Sequence, residues 1–191
     1  MKIDFMNAVE EHQRAIDSVF KQSRKILTVV ETMTEAIDRG AKVIWLGNGG
    51  SAADAQHMAA ELMVRYVKDR APIASISLTT DTSILTAHSN DYEFDTVFSR
   101  QIEGLAQSGD VVIALSTSGS SLNVVNAVKA AKKKGCFTVS MTGQQSSLLS
   151  EVSDVCFQIN TLETARAQEA HGFLSHLICE GLDSVYASSE S

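Results

Sequence analysis

The sequence predicts an α/β fold, a doubly wound five-stranded parallel sheet flanked by helices, with an N-terminal helical arm. Three observations predict it. Five short apolar runs, rich in β-branched residues and bounded by turn formers, recur after residue 40. Stretches with helical periodicity lie between them, which suits parallel strands joined by crossover helices. The first 40 residues read differently, as helix alone.

In the arm, residues from about Asp4 to Arg39 are expected to be helical. Val9, Ile16, Phe20, Ile26, Val30, Met33 and Ile37 form an apolar stripe with charge between them. That stripe lies outside the α/β part of the chain, so a partner subunit is expected to cover it. The strands are placed at Lys42–Leu46, Ile73–Leu78, Asp110–Leu115, Phe137–Met141 and Asp154–Ile159. Helices are placed at Ala52–Tyr66, Asp95–Ala106 and Leu122–Lys134, with a last one from about Thr161 to Tyr186. Pro72, the one proline, stands at a strand entrance where its missing N–H is tolerated. The expected organisation is one domain over residues 1–191, with 1–40 as an oligomerisation arm and 41–191 as the core.

Composition narrows the function classes. A formal net charge of −7 argues against nonspecific binding to nucleic acid or to an acidic membrane, which both need a cationic surface. The start of the chain lacks a signal-peptide pattern, and no apolar run approaches the ~20 residues that span a bilayer, so a cytoplasmic location is expected. Of the three cysteines, Cys136 and Cys156 sit in strand-like runs and are expected to be buried hydrophobes rather than disulfide or metal partners.

Two loops could carry chemistry. Gly47-Asn48-Gly49-Gly50-Ser51 joins the first strand to a helix, where free N–H groups can meet an anion and Ser51 can cap the helix or touch a ligand. A plain tight turn is the competing reading. Ser116-Thr117-Ser118-Gly119-Ser120-Ser121 follows the third strand and can surround a phosphate with neutral donors, or only cap the next helix. In the helix after the glycine loop, His57 and Glu61 are four residues apart and share a face. They can hold a metal ion or simply hydrogen-bond to each other. Arg65 continues that face and can pair with Glu61 or meet an anion. The last helix brings Gln168, Glu169, His171 and His176, and spacing does not choose between the two histidines. Thr79-Thr80-Asp81-Thr82 and Asn90-Asp91 can rim the same cleft or serve as turns and caps.

At these residues the chain resembles the SIS (sugar isomerase) domain family, and within it the phosphoheptose isomerases. The likeness runs over nearly the whole chain, through Gly47–Ser51, Ala55-Gln-His57, Ala60-Glu-Leu62 with Arg65-Tyr66, Asn90-Asp91, Phe98-Ser-Arg100, Ser116–Gly119, and Arg166-Ala-Gln168 with His171 and His176. The resemblance implies isomerisation of sedoheptulose 7-phosphate to D-glycero-D-manno-heptose 7-phosphate, through an enediol, toward heptose-containing glycans such as lipopolysaccharide. It implies that Asn48, Gly49, Gly50, Ser51, Asn90, Asp91, Ser116, Thr117, Ser118 and Ser121 contact the sugar phosphate. Arg65, Glu61 and Gln168 join them at the substrate. It implies one zinc ion per site on His57, Glu61, Gln168 and His176, proton exchange by Glu61 and His176, and a homotetramer with shared active sites.

There are departures from the family pattern. Gln144-Gln145-Ser146 follow Thr142-Gly143 where glycines are common, Val64 replaces a small residue, and Ala165 stands where some members carry Asp. A rival within the family, a non-catalytic regulator or sugar-phosphate binder, resembles this chain but lacks the equivalents of Glu61 and His176. Gln168 and His176 are eight residues apart, a rise of ~12 Å on a regular helix. One metal shell is then easier to complete if different subunits supply the two, or if the helix begins irregularly near Gln168. The first is the expectation.

Overall fold

The computed structural model describes residues 3–143 and 146–187. Helices α1 (Phe5–Phe20) and α2 (Ser23–Asp38) lead into β1 (Val43–Gly47) and α3 (Gly50–Met63). Then follow β2 (Ser75–Ser77), α4 (Thr82–Asp91), a 3₁₀ turn (Phe94–Thr96) and α5 (Val97–Leu105). The chain continues through β3 (Val111–Leu115), α6 (Leu122–Lys133), β4 (Phe137–Thr142), α7 (Leu148–Val152), β5 (Val155–Gln158) and α8 (Thr164–Tyr186).

All five strands are parallel, in the order β2-β1-β3-β4-β5. Because side chains alternate along a strand, each strand feeds two cores. Val43 and Trp45 of β1, with Val111, Ile113 and Leu115 of β3, face a core shared with α1, α2, α3 and α8. Ile44, Leu46, Val112 and Ala114 face the other, under α5 and α6. Winding in both directions from β1 leaves a switch point between β1 and β3, and ligands in open parallel sheets bind outside the strand ends there.

Several expectations need correction. The arm is two helices, broken at Lys21 and Gln22, where the Gln22 amide donates to the carbonyls of Ser18 and Gln158. Its stripe is covered in part by the chain itself. Val29, Val30, Met33 and Ala36 are buried in the first core, where α2 meets α8. Phe5, Met6, Val9, Phe20 and Leu27 stay exposed. β2 is three residues long rather than six, a short edge strand. Cys136 is buried as expected, but Cys156 is only half-buried, and both are free thiols. Gln144 and Gln145 lie outside the described residues.

Candidate active site

The glycine loop follows β1 and the serine loop follows β3, so the two flank the switch point. Gly49 has φ +55°, a left-handed conformation that glycine adopts without steric cost, and it is the N-cap of α3. Ser51 therefore lies inside the helix and does not cap it, contrary to one sequence reading. Asn48 is fixed by a reciprocal amide pair with Asn123, at 2.9 and 2.8 Å, which ties the glycine loop to the start of α6. Sequence inspection missed Asn123, because its partner is 75 residues away.

The serine loop is held by its own hydroxyls. Ser116 Oγ accepts from the Gly119 N–H at 3.2 Å and lies 3.4 Å from Ser118 Oγ and from Ser121 Oγ. Ser121 is the N-cap of α6 but makes no capping bond with its side chain. Its hydroxyl is thus not spent on the helix. A cleft of about 270 Å³ opens here, between Thr117, Ser118 and Ser120 on one side and Thr161, Thr164 and Ala167 on the other.

Two turns along α3, His57 Nε2 lies 2.9 Å from Glu61 Oε1. His176 comes to the same place from α8: its ring meets that of His57 edge-on at 5.1 Å and stacks on Tyr66 at 5.3 Å. The ligand atoms of His57, Glu61 and His176 all lie within 4.8 Å of one another. Two imidazoles and a carboxylate, with an open side, match the donor set of a catalytic zinc ion. The donor chemistry fits a metal.

Packing separates the two α8 histidines. His171 is fully buried, donates from Nε2 to the Thr142 carbonyl at 3.2 Å, and is held neutral, with burial lowering its pKa from 6.5 to about 4. It is structural. Asp54 sits one turn before His57 on α3. Burial pushes its carboxyl up, while the nearby His57 and His176 pull it down, and its Oδ2 is buried without a hydrogen-bond partner among the described residues.

Behind Glu61 lies a buried ion pair that no spacing or motif in the chain singles out. Arg70 Nε donates to Asp183 Oδ1 at 2.8 Å, with both side chains almost wholly buried. The same guanidinium donates to the Glu61 and Leu62 carbonyls, at 2.7 and 2.9 Å. Asp183 Oδ2 also accepts from the Val67 and Lys68 N–H groups, each at 2.9 Å. Burial acts to raise the Asp183 pKa, but these donors and Arg70 outweigh it and hold the carboxyl below its ordinary value. Asp183 is two turns beyond His176 on α8. The pair therefore fixes the backbone of Glu61 relative to the helix that carries His176.

Other expected residues are not brought to this group. The Gln168 amide lies against Gly50, where a Cβ would collide with it. That is the N-terminus of α3, a rise of ~10 Å from His57. α8 is regular from Thr164, which removes the irregular start considered above. Arg65 lies past the end of α3, exposed, and donates to the Val67 carbonyl at 3.1 Å. Asn90 and Asp91 end α4, exposed and hydrogen-bonded to each other at 2.8 Å. Asp81 caps α4 and Thr79 accepts from Gln56, so the Thr79–Thr82 segment serves as turn and cap.

Comparison with known proteins places the chain in a family. The SIS domain family matches residues 4–143. A phosphoheptose isomerase of Campylobacter concisus is 44% identical over 186 residues, covering 97% of this chain and 98% of its own length. One from Geotalea daltonii is 44% identical over 181 residues, with 94% of each chain covered. The solved phosphoheptose isomerase of Neisseria gonorrhoeae superposes with a TM-score of 0.87 at 39% identity, over 93% of this chain and 96% of that one. That of Francisella tularensis gives 0.86 at 25% identity, over 95% and 100%. On sequence and on fold alike, the chain belongs to the SIS domain family, among the phosphoheptose isomerases.

Proposed function

We propose that this protein is a zinc-dependent isomerase that converts sedoheptulose 7-phosphate to D-glycero-D-manno-heptose 7-phosphate, a step toward heptose-containing glycans. The observation that carries the reading is the convergence of His57, Glu61 and His176 within one chain, beside a fold whose relatives carry that activity in their names. The serine loop, Ser116 to Ser121, takes the phosphate through hydroxyl and backbone N–H donors. Asn48, Gly49, Gly50 and Ser51 orient the sugar. Asn90, Asp91 and Arg65 belong to the substrate site only if another subunit brings them there.

The open-chain ketose is isomerised by moving one proton from C1 to C2 and one from the C1 oxygen to the C2 oxygen. Glu61 removes a proton from C1, the electron pair forms the C1–C2 double bond, and negative charge develops on the C2 oxygen. The C2 oxygen then takes a proton, the C1 hydroxyl loses one so that its electrons form the C1 carbonyl, and the C1–C2 double bond takes a proton at C2, which leaves the aldose. His176 serves as the acid in this exchange. Zinc held by His57, Glu61 and His176 would supply Lewis-acid stabilisation of the charge on the substrate oxygen.

The proposal extends to the assembly and its place in the cell. The Gln168 amide, from α8, lies against Gly50 at the far end of α3 from His57 and Glu61, which favours a homotetramer with shared sites, where Gln168 of the partner subunit completes the centre. Among the described residues no helix is long and apolar enough to cross a membrane, and sugar phosphates are metabolites of the cytoplasm, where we place the protein. Turnover of sedoheptulose 7-phosphate by the zinc-loaded protein in D₂O tests the chemistry. The expected product is the aldose carrying deuterium at C2. No product, with the sugar phosphate nonetheless bound, would instead support a non-catalytic binder.

A further inference from the structure

Among the described residues no hydrogen bond fixes the ring of His176, and two neighbouring rings set its plane instead. His57 meets it edge-on, while Tyr66 lies nearly parallel to it, at 22° and 5.3 Å between centroids. Aromatic pairs at that distance attract in a preferred arrangement, so one rigid ring orients the other. Tyr66 stands in a segment without helix or strand, between α3 and β2. Residues 64, 65 and 67–69 are exposed there, whereas Tyr66 is half-buried and Arg70 is buried.

A segment of this kind has no ladder of its own to set its course, and the buried ion pair sets it here. Asp183 accepts from the two N–H groups that directly follow Tyr66, those of Val67 and Lys68, and also holds Arg70. Arg70 in turn donates to the Glu61 and Leu62 carbonyls of α3. Asp183 lies two turns beyond His176, so the clamp and the imidazole share one helix. Filling the edge of the first core, which Tyr66 also touches, is the simplest alternative. Core filling asks for apolar volume, however, and not for a ring parallel to an imidazole. The Tyr66 hydroxyl has no hydrogen-bond partner among the described residues, so the ring is what this residue contributes.

We propose that Tyr66 is a positioning residue for His176: held by the Arg70–Asp183 clamp, its ring fixes the plane of the imidazole and keeps a ring nitrogen turned toward His57 and Glu61. The inference rests on the metal-centre reading above and deepens it by one residue. Side chains that orient a metal ligand typically change metal affinity by 10- to 100-fold when they are removed.

The experiment compares the wild-type protein with Tyr66→Leu and Tyr66→Phe. It reads zinc affinity by chelator competition, kcat and KM for sedoheptulose 7-phosphate, and ¹H–¹³C spectra of the histidine rings, with His176→Ala to assign the signal. In Tyr66→Leu, zinc affinity and kcat should each fall roughly 10-fold or more, with KM unchanged. Tyr66→Phe keeps the ring and should restore both. The wild-type His176 ring protons should lie upfield, shielded by the tyrosine face, and should move downfield in Tyr66→Leu alone. Wild-type zinc affinity and kcat in Tyr66→Leu, even with a lowered Tm, overturn the inference and leave core filling. So does a Tyr66→Phe variant as impaired as Tyr66→Leu. An unshielded His176 in the wild type overturns it even if Tyr66→Leu fails to fold. A wild-type protein that binds no zinc sinks the metal-centre reading instead, and the ring shift still shows whether the stack exists.

Discussion

Glu61 and His176 are 115 positions apart in the chain, yet they share one small volume because α3 and α8 cross there. Glu61→Gln keeps the size of the side chain and removes its basicity. Turnover of that variant should fall roughly a hundred- to ten-thousand-fold with the fold intact, read as kcat beside an unchanged circular dichroism spectrum. Near-normal kcat would remove Glu61 from the chemistry. His171 lends itself to a different measurement. Its folded pKa, about 4, is below the ordinary 6.5, so the native state favours the neutral ring. The associated stability is fully present above pH 6.5 and is lost as pH falls toward 4, by about 3 kcal/mol in all. Unfolding titrations of the wild type across that window should show the loss, and His171→Gln should flatten it. An equally steep decline in the variant would assign the acid sensitivity elsewhere. Spacing alone left His171 and His176 as equals. Only packing separates them, since one ring is sealed beneath β4 and the other opens toward His57.

At the scale of elements, the strands were legible because burial on both faces demands continuous apolar, β-branched runs. Helix α4 was not. None of its residues is buried, so it carries no apolar stripe, and only the cap at Asp81 marks its start. The break between α1 and α2 was likewise hidden, since Lys21 and Gln22 are ordinary helix formers. The pair of Arg70 and Asp183 was invisible because a charged residue reads as surface until its partner, 113 residues away, is placed beside it. This pair joins α3 to α8 from behind the candidate centre. Asp183→Asn leaves the Arg70 guanidinium buried without its counter-charge, which should cost about 3–5 kcal/mol. A fall in Tm on the order of 10 °C is expected for a chain of this size. An unchanged Tm would show that the pair does not secure the α3–α8 junction.

At the scale of the whole molecule, the composition and the order of elements indicated the fold class, but not which residues meet across subunits. Gln168 lies against Gly50, at the N-terminus of α3 and away from His57 and Glu61. The exposed apolar residues of the arm, Phe5, Met6, Val9 and Phe20, are consistent with burial against further copies. Because Glu61 and His176 belong to one centre, mixing Glu61→Ala with His176→Ala subunits should restore no activity. Mixing Glu61→Ala with Gln168→Ala should restore part of it, since one intact three-ligand centre then meets one intact glutamine. Recovery in the first mixture, or none in the second after confirmed subunit exchange, would contradict the shared site.

On the proposed function, a metal is held by three side chains of one chain and is needed for sugar-phosphate turnover. The most direct measurement is zinc content and sedoheptulose 7-phosphate turnover on the same sample, before chelation, after it, and after zinc is restored. The predicted result is one ion per chain, with turnover lost on chelation and regained with zinc, and neither seen in His176→Ala. Full turnover by the zinc-free protein would contradict it.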